Sequence, residues 1–484
     1  MKTVSSFLAV AALAVAFQAN AEVKMPAFFS DNMLMQRETN ANMWGTADPS
    51  SKVTVAPSWT KEVYKTQADR TGQWSIALPT PGAGGPYTIT VSDGKPVTLQ
   101  NVMLGDLWLC SGQSNMEMTM KGFKNQPVTG GNMDATRSKN PDIRLFTVKR
   151  NSSTVALDSV TGKWSEAAPK SVRDFSATAY YFGKLLNETL DVPIGLIVAA
   201  WGGSACEAWM SDDMLKAFPE AFAQIPKPGE KIPSKNRTPS VLYKGMLNPL
   251  IGLAIKGVIW YQGEDNANRA ETYADMLTTM VKGWRDNWGR GEWPFYYCQI
   301  APYDYHRLYK KGDKLYNSAY LREQQLKAED MIPNSGMAVL MDAGWEMGIH
   351  PKNKKVAGER LGLLALANTY GIEGVGAQSP RYSGMEVKGD TVLVSFDRCK
   401  EWIVGNEVFQ SDAFELAGED GVFYPAKAYV QQKNMVVKSD KVPHPVHVRY
   451  AFKNYVKGDL FSTDGLPVSS FRSDDFPDPK PIKE

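Results

Sequence analysis

The stretch Leu104-Gly105-Asp106-Leu107-Trp108-Leu109-Cys110-Ser111-Gly112-Gln113-Ser114-Asn115-Met116 decides the architecture. Its first six residues read as a largely apolar strand, and the rest as a polar turn built around Gly112. A serine on such a turn, at the carboxyl end of a strand, is placed to expose its hydroxyl. A helix starting there would aim its positive end at an oxyanion. A Gly-x-Ser turn is equally what helix capping produces. Met116 also stands where a G-x-S-x-G elbow needs its last glycine.

Working outward, the same grammar repeats. Short apolar strands at 104–109, 193–200, 256–261, 294–300 and 337–341 alternate with helix-length amphipathic segments at 176–190, 271–288, 319–330 and 354–370. Strands alternating with helices predict βαβ units and a mainly parallel, five-stranded sheet covered on both faces. Ligands bind beyond the carboxyl ends of such strands, so the residues after each strand matter most. This α/β unit is expected at 102–372. Residues 22–101 read as all-β, with short alternating runs split by Gly, Pro and Asp turns. A second β region is expected at 373–484. Residues 1–21 combine Lys2, an apolar run from Phe7 to Phe17 and Ala19-Asn20-Ala21, the pattern of a signal peptide cleaved before Glu22. The chain is therefore expected to be exported, periplasmic or secreted.

Trp201-Gly202-Gly203-Ser204 follows the second strand, and paired glycines let backbone N–H groups approach a ligand. Gln262-Gly263-Glu264-Asp265-Asn266 follows the third; its amides and carboxylates could face a pocket, or Asp265 or Asn266 could cap a helix. Asp342 follows the fifth, and then Ile349-His350-Pro351 precedes a helix. Of four histidines, His350 alone sits where a catalytic base belongs.

Composition narrows the class. In 484 residues, 54 basic side chains face 52 acidic ones, a net charge of +2 that argues against nucleic-acid binding. No later segment reaches the apolar length of a membrane span. The four cysteines lack C-x-x-C spacing and read as buried thiols rather than a disulfide framework or zinc site.

The order Ser114, Gly203, Gln262, His350 resembles that of the SGNH hydrolases, and the local wording is similar to the sialate O-acetylesterase family. The likeness lies in Leu107 to Glu117, Ala199 to Ser204, Ala208 to Ser211, Trp260 to Glu264, Ile349 to Lys354, Gly358 to Leu361 and Gly465 to Arg472. It implies an SGNH-type three-layer α/β/α domain in a serine esterase that removes O-acetyl groups from sialic acids. Ser114 would be nucleophile and His350 base. The N–H groups of Ser114 and Gly203 and the Gln262 amide would form the oxyanion hole. Gln113, Asn115, Trp201, Glu264 and Asn266 would contact substrate, with Trp209, Trp260 and Tyr261 as sugar-stacking faces. The acid is open: Met347 stands three residues before His350, where many SGNH enzymes carry Asp. Asp342, Glu264 and Glu346 are the alternatives, besides a Ser-His dyad. Arg322 and Lys354 are the cations considered for a sialate carboxylate. No metal or organic cofactor is implied. The alternative substrates are acetylated xylan or another plant glycan, and the non-enzymatic alternative is a glycan-binding protein with an inactive hydrolase core.

Overall fold

Seven strands line up across the centre of the computed structural model, which describes residues 22–308, 316–405 and 409–477. Their order is Ser335–Ala338, Phe295–Cys298, Gly257–Tyr261, Pro96–Gly112, Ile194–Ala200, Asn140–Thr147 and Trp164–Ala167. All neighbours are parallel except the last pair. The five-strand expectation is thus too small. Asn140–Thr147 escaped it because Pro141, Asp142 and Arg144 interrupt the apolar pattern. Arg144 is nonetheless buried, its guanidinium donating to the carbonyls of Pro141, Asn32 and Asn101.

Helices cover both faces. Ala177–Leu190 and Lys354–Asn368 pack together on one side, where a Cβ on Gly358 would lie 2.6 Å from the Thr178 carbonyl oxygen. Tyr273–Trp288 and Ala319–Met331 lie on the other. Ser176 caps the first of these helices by accepting from the Ala179 N–H at 3.1 Å.

The strand Pro96–Gly112 serves two sheets. Its first part pairs antiparallel with Gly84–Ser92 of the N-terminal β region, and its second part is the middle of the parallel sheet. The expected boundary at 101/102 falls inside this strand, at Asn101, whose φ of +56° bends it. Asparagine is among the few residues that tolerate that conformation. The C-terminal region carries a seven-stranded antiparallel sheet, from Arg381–Lys388 at one edge to Phe471–Arg472 at the other. Its closing segment returns to the parallel-sheet unit: Ser469 Oγ accepts from Gln299 Nε2 at 2.8 Å, and Ser470 Oγ accepts from Arg322 Nε at 3.0 Å. The four cysteines are buried free thiols. The segment read as a signal peptide lies outside the described residues. Among the described residues, no helix is long and apolar enough to cross a membrane, and no group of three His, Cys, Asp or Glu could hold a metal ion.

Candidate active site

Gly112 ends the central strand with φ +136°, and a Cβ there would lie 2.2 Å from the Tyr261 carbonyl oxygen, so only glycine fits. The Gln113 N–H donates to that carbonyl at 2.9 Å, and Ser114 opens a single helical turn, Ser114–Glu117. The expected helix after the nucleophile is therefore only four residues long. Gly202 lies against this turn: a Cβ on it would sit 3.3 Å from the Ser114 Cβ. Gly203 takes φ +66°. Among the described residues, the Ser114 and Gly203 N–H groups have no acceptor.

Ser114, Gly203 and His350 line one cavity of about 1610 Å³, together with Gln113, Glu264, Arg150, Arg237 and Arg269. Neither Ser114 Oγ nor His350 Nε2 is engaged by another described residue. His350 Nδ1 donates to Gln126 Oε1 at 2.5 Å, and the Phe123 ring meets the imidazole edge-on at 5.1 Å. An amide oxygen at Nδ1 requires the proton there, which leaves the Nε2 lone pair free. Burial, reinforced by the charge of Lys354, pushes His350 down to about 4. The imidazole is accordingly neutral at neutral pH.

None of the three expected acids is hydrogen-bonded to His350 among the described residues. Asp342 forms a bidentate pair with Arg360, at 2.6 and 2.8 Å. Glu264 Oε1 accepts from Asn115 Nδ2 at 2.5 Å, and Glu346 is exposed. Gln126 occupies the acid's place, and sequence reasoning missed it. It lies in a polar loop without periodicity, closed by reciprocal backbone bonds between Phe123 and Gln126 and tied by the Thr129 N–H to the Lys352 carbonyl.

Under the serine lies a buried polar knot. Asn115 Oδ1 accepts from Lys354 Nζ, and Asn115 Nδ2 donates to Glu264 and to the Ile349 carbonyl at 3.2 Å. One side chain thus joins the nucleophile turn to the histidine loop. Burial lowers Lys354 to about 7 and raises Glu264. Lys354 is therefore part of this floor rather than an open cation for substrate.

Several expected substrate contacts prove structural. Gln262 is fully buried; its Nε2 donates to the Ser204 carbonyl at 3.0 Å and to Asn266 Oδ1 at 2.7 Å, using both protons. It has no N–H left for an oxyanion. Asn266 is likewise spent on Cys206 N, Gln262 and Glu207. Trp209, Trp260 and Tyr261 are buried, the first two packed edge-to-face at 6.2 Å. Trp201 is half-buried beneath the Arg150 guanidinium, 5.5 Å from its ring centroid. Arg322 is wholly buried, held by Ser470, Ser318 and two carbonyls. Aromatic type alone does not separate stacking faces from core in the sequence.

Comparison with known proteins fits this geometry. Residues 104–344 match the family model "Carbohydrate esterase, sialic acid-specific acetylesterase". The crystal structure of a carbohydrate acetylesterase from Xanthomonas citri superposes with a TM-score of 0.84 at 33% identity, covering 94% of this chain and all of that one (100%). The chain belongs to the sialic acid-specific acetylesterase family of carbohydrate esterases. The human sialate O-acetylesterase is 29% identical over 430 residues, covering 80% of this chain and 79% of that protein. The rat protein is 28% identical over 432 residues, with 77% and 78% covered. As a member of this esterase family the chain is a carboxylic ester hydrolase, and the reading as an inactive binding protein falls away.

Proposed function

We propose that this esterase removes O-acetyl groups from sialic acids on glycans through an acyl-enzyme on Ser114. One observation carries the reading: Ser114 and His350, whose imidazole holds its proton on Nδ1 and leaves Nε2 free, line one cavity together with Gly203. His350 takes the serine proton as Oγ attacks the acetyl carbonyl, then returns it to the sugar hydroxyl as the C–O bond breaks. Water, deprotonated by the same imidazole, then frees acetate. The N–H groups of Ser114 and Gly203 receive the oxyanion, and Gln126 holds the ring so that Nε2 faces the serine. In this reading the sheet is of the SGNH type, and residues 1–21 direct export to the periplasm or beyond.

The cavity is much larger than an acetyl group, as a glycan substrate needs. For a sialate carboxylate the most accessible cation is Arg237, whose side chain is 60% exposed although paired with Asp265. A neutral acetylated plant glycan is the second reading. It is favoured by the pairing of all three cavity arginines: Arg150 with Glu117, Arg237 with Asp265 and Arg269 with Glu207. Acetate release from O-acetylated sialic acid and from acetylated xylo-oligosaccharide, with wild type and Ser114→Ala, tests both. Serine-dependent release from sialate supports the first reading. Serine-dependent release from the xylan fragment alone replaces the substrate, and release by Ser114→Ala overturns the mechanism.

A further inference from the structure

We infer that the Gln113 side-chain amide is a catalytic donor to the oxyanion. This rests on the Ser114 reading and assigns a role that family likeness gave to Gln262. Gln262 cannot fill it, because both its amide protons are spent within the core. Gln113 has the opposite arrangement. Its Oε1 accepts from two backbone N–H groups, Gly263 at 3.2 Å and Asp265 at 3.3 Å. Those bonds fix which end of the amide is oxygen and turn the NH₂ the other way. The NH₂ has no acceptor among the described residues, yet it is not among the sealed, unsatisfied polar atoms. It therefore faces open space, and the space beside Gln113 is the cavity that Ser114 and Gly203 line.

The pinning is rigid from both sides. The Gln113 N–H is held by the Tyr261 carbonyl, and the residue is only 3% exposed. The turn that clamps its Oε1 passes through Gly263 at φ +155°, where a Cβ would lie 2.7 Å from the Ile300 Cγ2. No other residue fits there, so the two clamping N–H groups are set by the fold. An amide whose oxygen already accepts two bonds is polarised and donates more strongly from its nitrogen. A donor fixed before the reaction needs no reorganisation as charge develops, which is what makes such groups effective. Gln113 adjoins the nucleophile in sequence, and it lines the same cavity as Ser114 and Gly203.

The test compares the full chain with Gln113→Glu, Gln113→Met and Ser114→Ala on a chromogenic acetyl ester. A boronic acid serves as tetrahedral analogue, and thermal melting reports folding. Gln113→Glu keeps the accepted bonds and removes the donor; Gln113→Met removes both without changing length. Loss of one oxyanion donor typically lowers kcat by about 10²–10³-fold. That loss is expected in both variants, with KM within about threefold and boronate affinity falling alongside kcat. A raised KM with unchanged kcat, or boronate affinity unaffected while kcat falls, overturns the inference. Activity persisting in Ser114→Ala refutes the serine reading itself, a failure distinct from that of Gln113. If Gln113→Glu melts early, Gln113→Met decides alone.

Discussion

Replacing Gln126 tests the proposal that Ser114 and His350 act without a carboxylate on the histidine. Gln126 Oε1 is the acceptor of the Nδ1 proton at 2.5 Å, and it does not line the cavity. Gln126→Ala frees the ring to rotate and the proton to move to Nε2, where it would block attack. General base catalysis is worth about 10²–10⁴ in rate, so kcat should fall by about 10²-fold or more, with KM nearly unchanged. Gln126→Glu instead places a negative charge against Nδ1. Two unit charges about 4 Å apart interact by ~4 kcal/mol at an effective dielectric near 20, an upper bound of ~3 pKa units. An opposite charge at this range commonly shifts a group by about 1–3 units. The imidazolium is favoured, so the acid limb of kcat/KM should climb from near 4, where burial holds His350, by about 1–3 units. The assay is acetate release from a chromogenic ester between pH 3.5 and 9, alongside a melting curve. A Gln126→Ala enzyme with unchanged kcat, or a Gln126→Glu profile with an unmoved acid limb, would refute the reasoning.

Four further outcomes follow from the same geometry. In the wild type the pKa of His350 is lowered to about 4, so the base stays competent as pH falls below 6.5; kcat/KM should hold until pH nears that value. Lys354→Met removes the second cause of that lowering, a positive charge, so the acid limb should move upward, read from the same profile. Asp342→Asn should leave kcat within a few-fold while lowering the melting temperature, because it breaks the half-buried bidentate pair with Arg360, worth about 2–3 kcal/mol; a collapse of kcat with intact folding would restore Asp342 as the triad acid. Arg322→Met strands two carbonyls and two serine hydroxyls between the helix Ala319–Met331 and the C-terminal β region. Unmet buried groups cost about 1–3 kcal/mol each, so differential scanning calorimetry should record earlier melting.

What could be read from the sequence was local. The turn at Gly112–Ser114, the Gly202–Gly203 pair and His350 each follow or flank a recognisable strand or helix, and the four long helices lie within a few residues of their expected spans. The illegible parts depend on distant partners. Asn140–Thr147 pairs with Ile194–Ala200 and can bury Arg144 there because carbonyls from two other segments satisfy it, which no pattern along 140–147 reveals. Gln126 reaches His350 across 224 residues of sequence. Gln113 and Gln262 are the same residue type after adjoining strands, and only their partners tell which amide stays free. Trp209 and Trp260 look like a sugar platform in one dimension and are core in three.

The central claim is that Ser114 carries the acetyl group between glycan and water. Rapid quenching of the enzyme with a chromogenic acetate, followed by peptide mass analysis, reads this directly. The account predicts one acetyl group on the peptide containing Ser114, appearing with the first turnover and absent from Ser114→Ala. Acetate release without that adduct, or an acetyl group on another peptide, would contradict it.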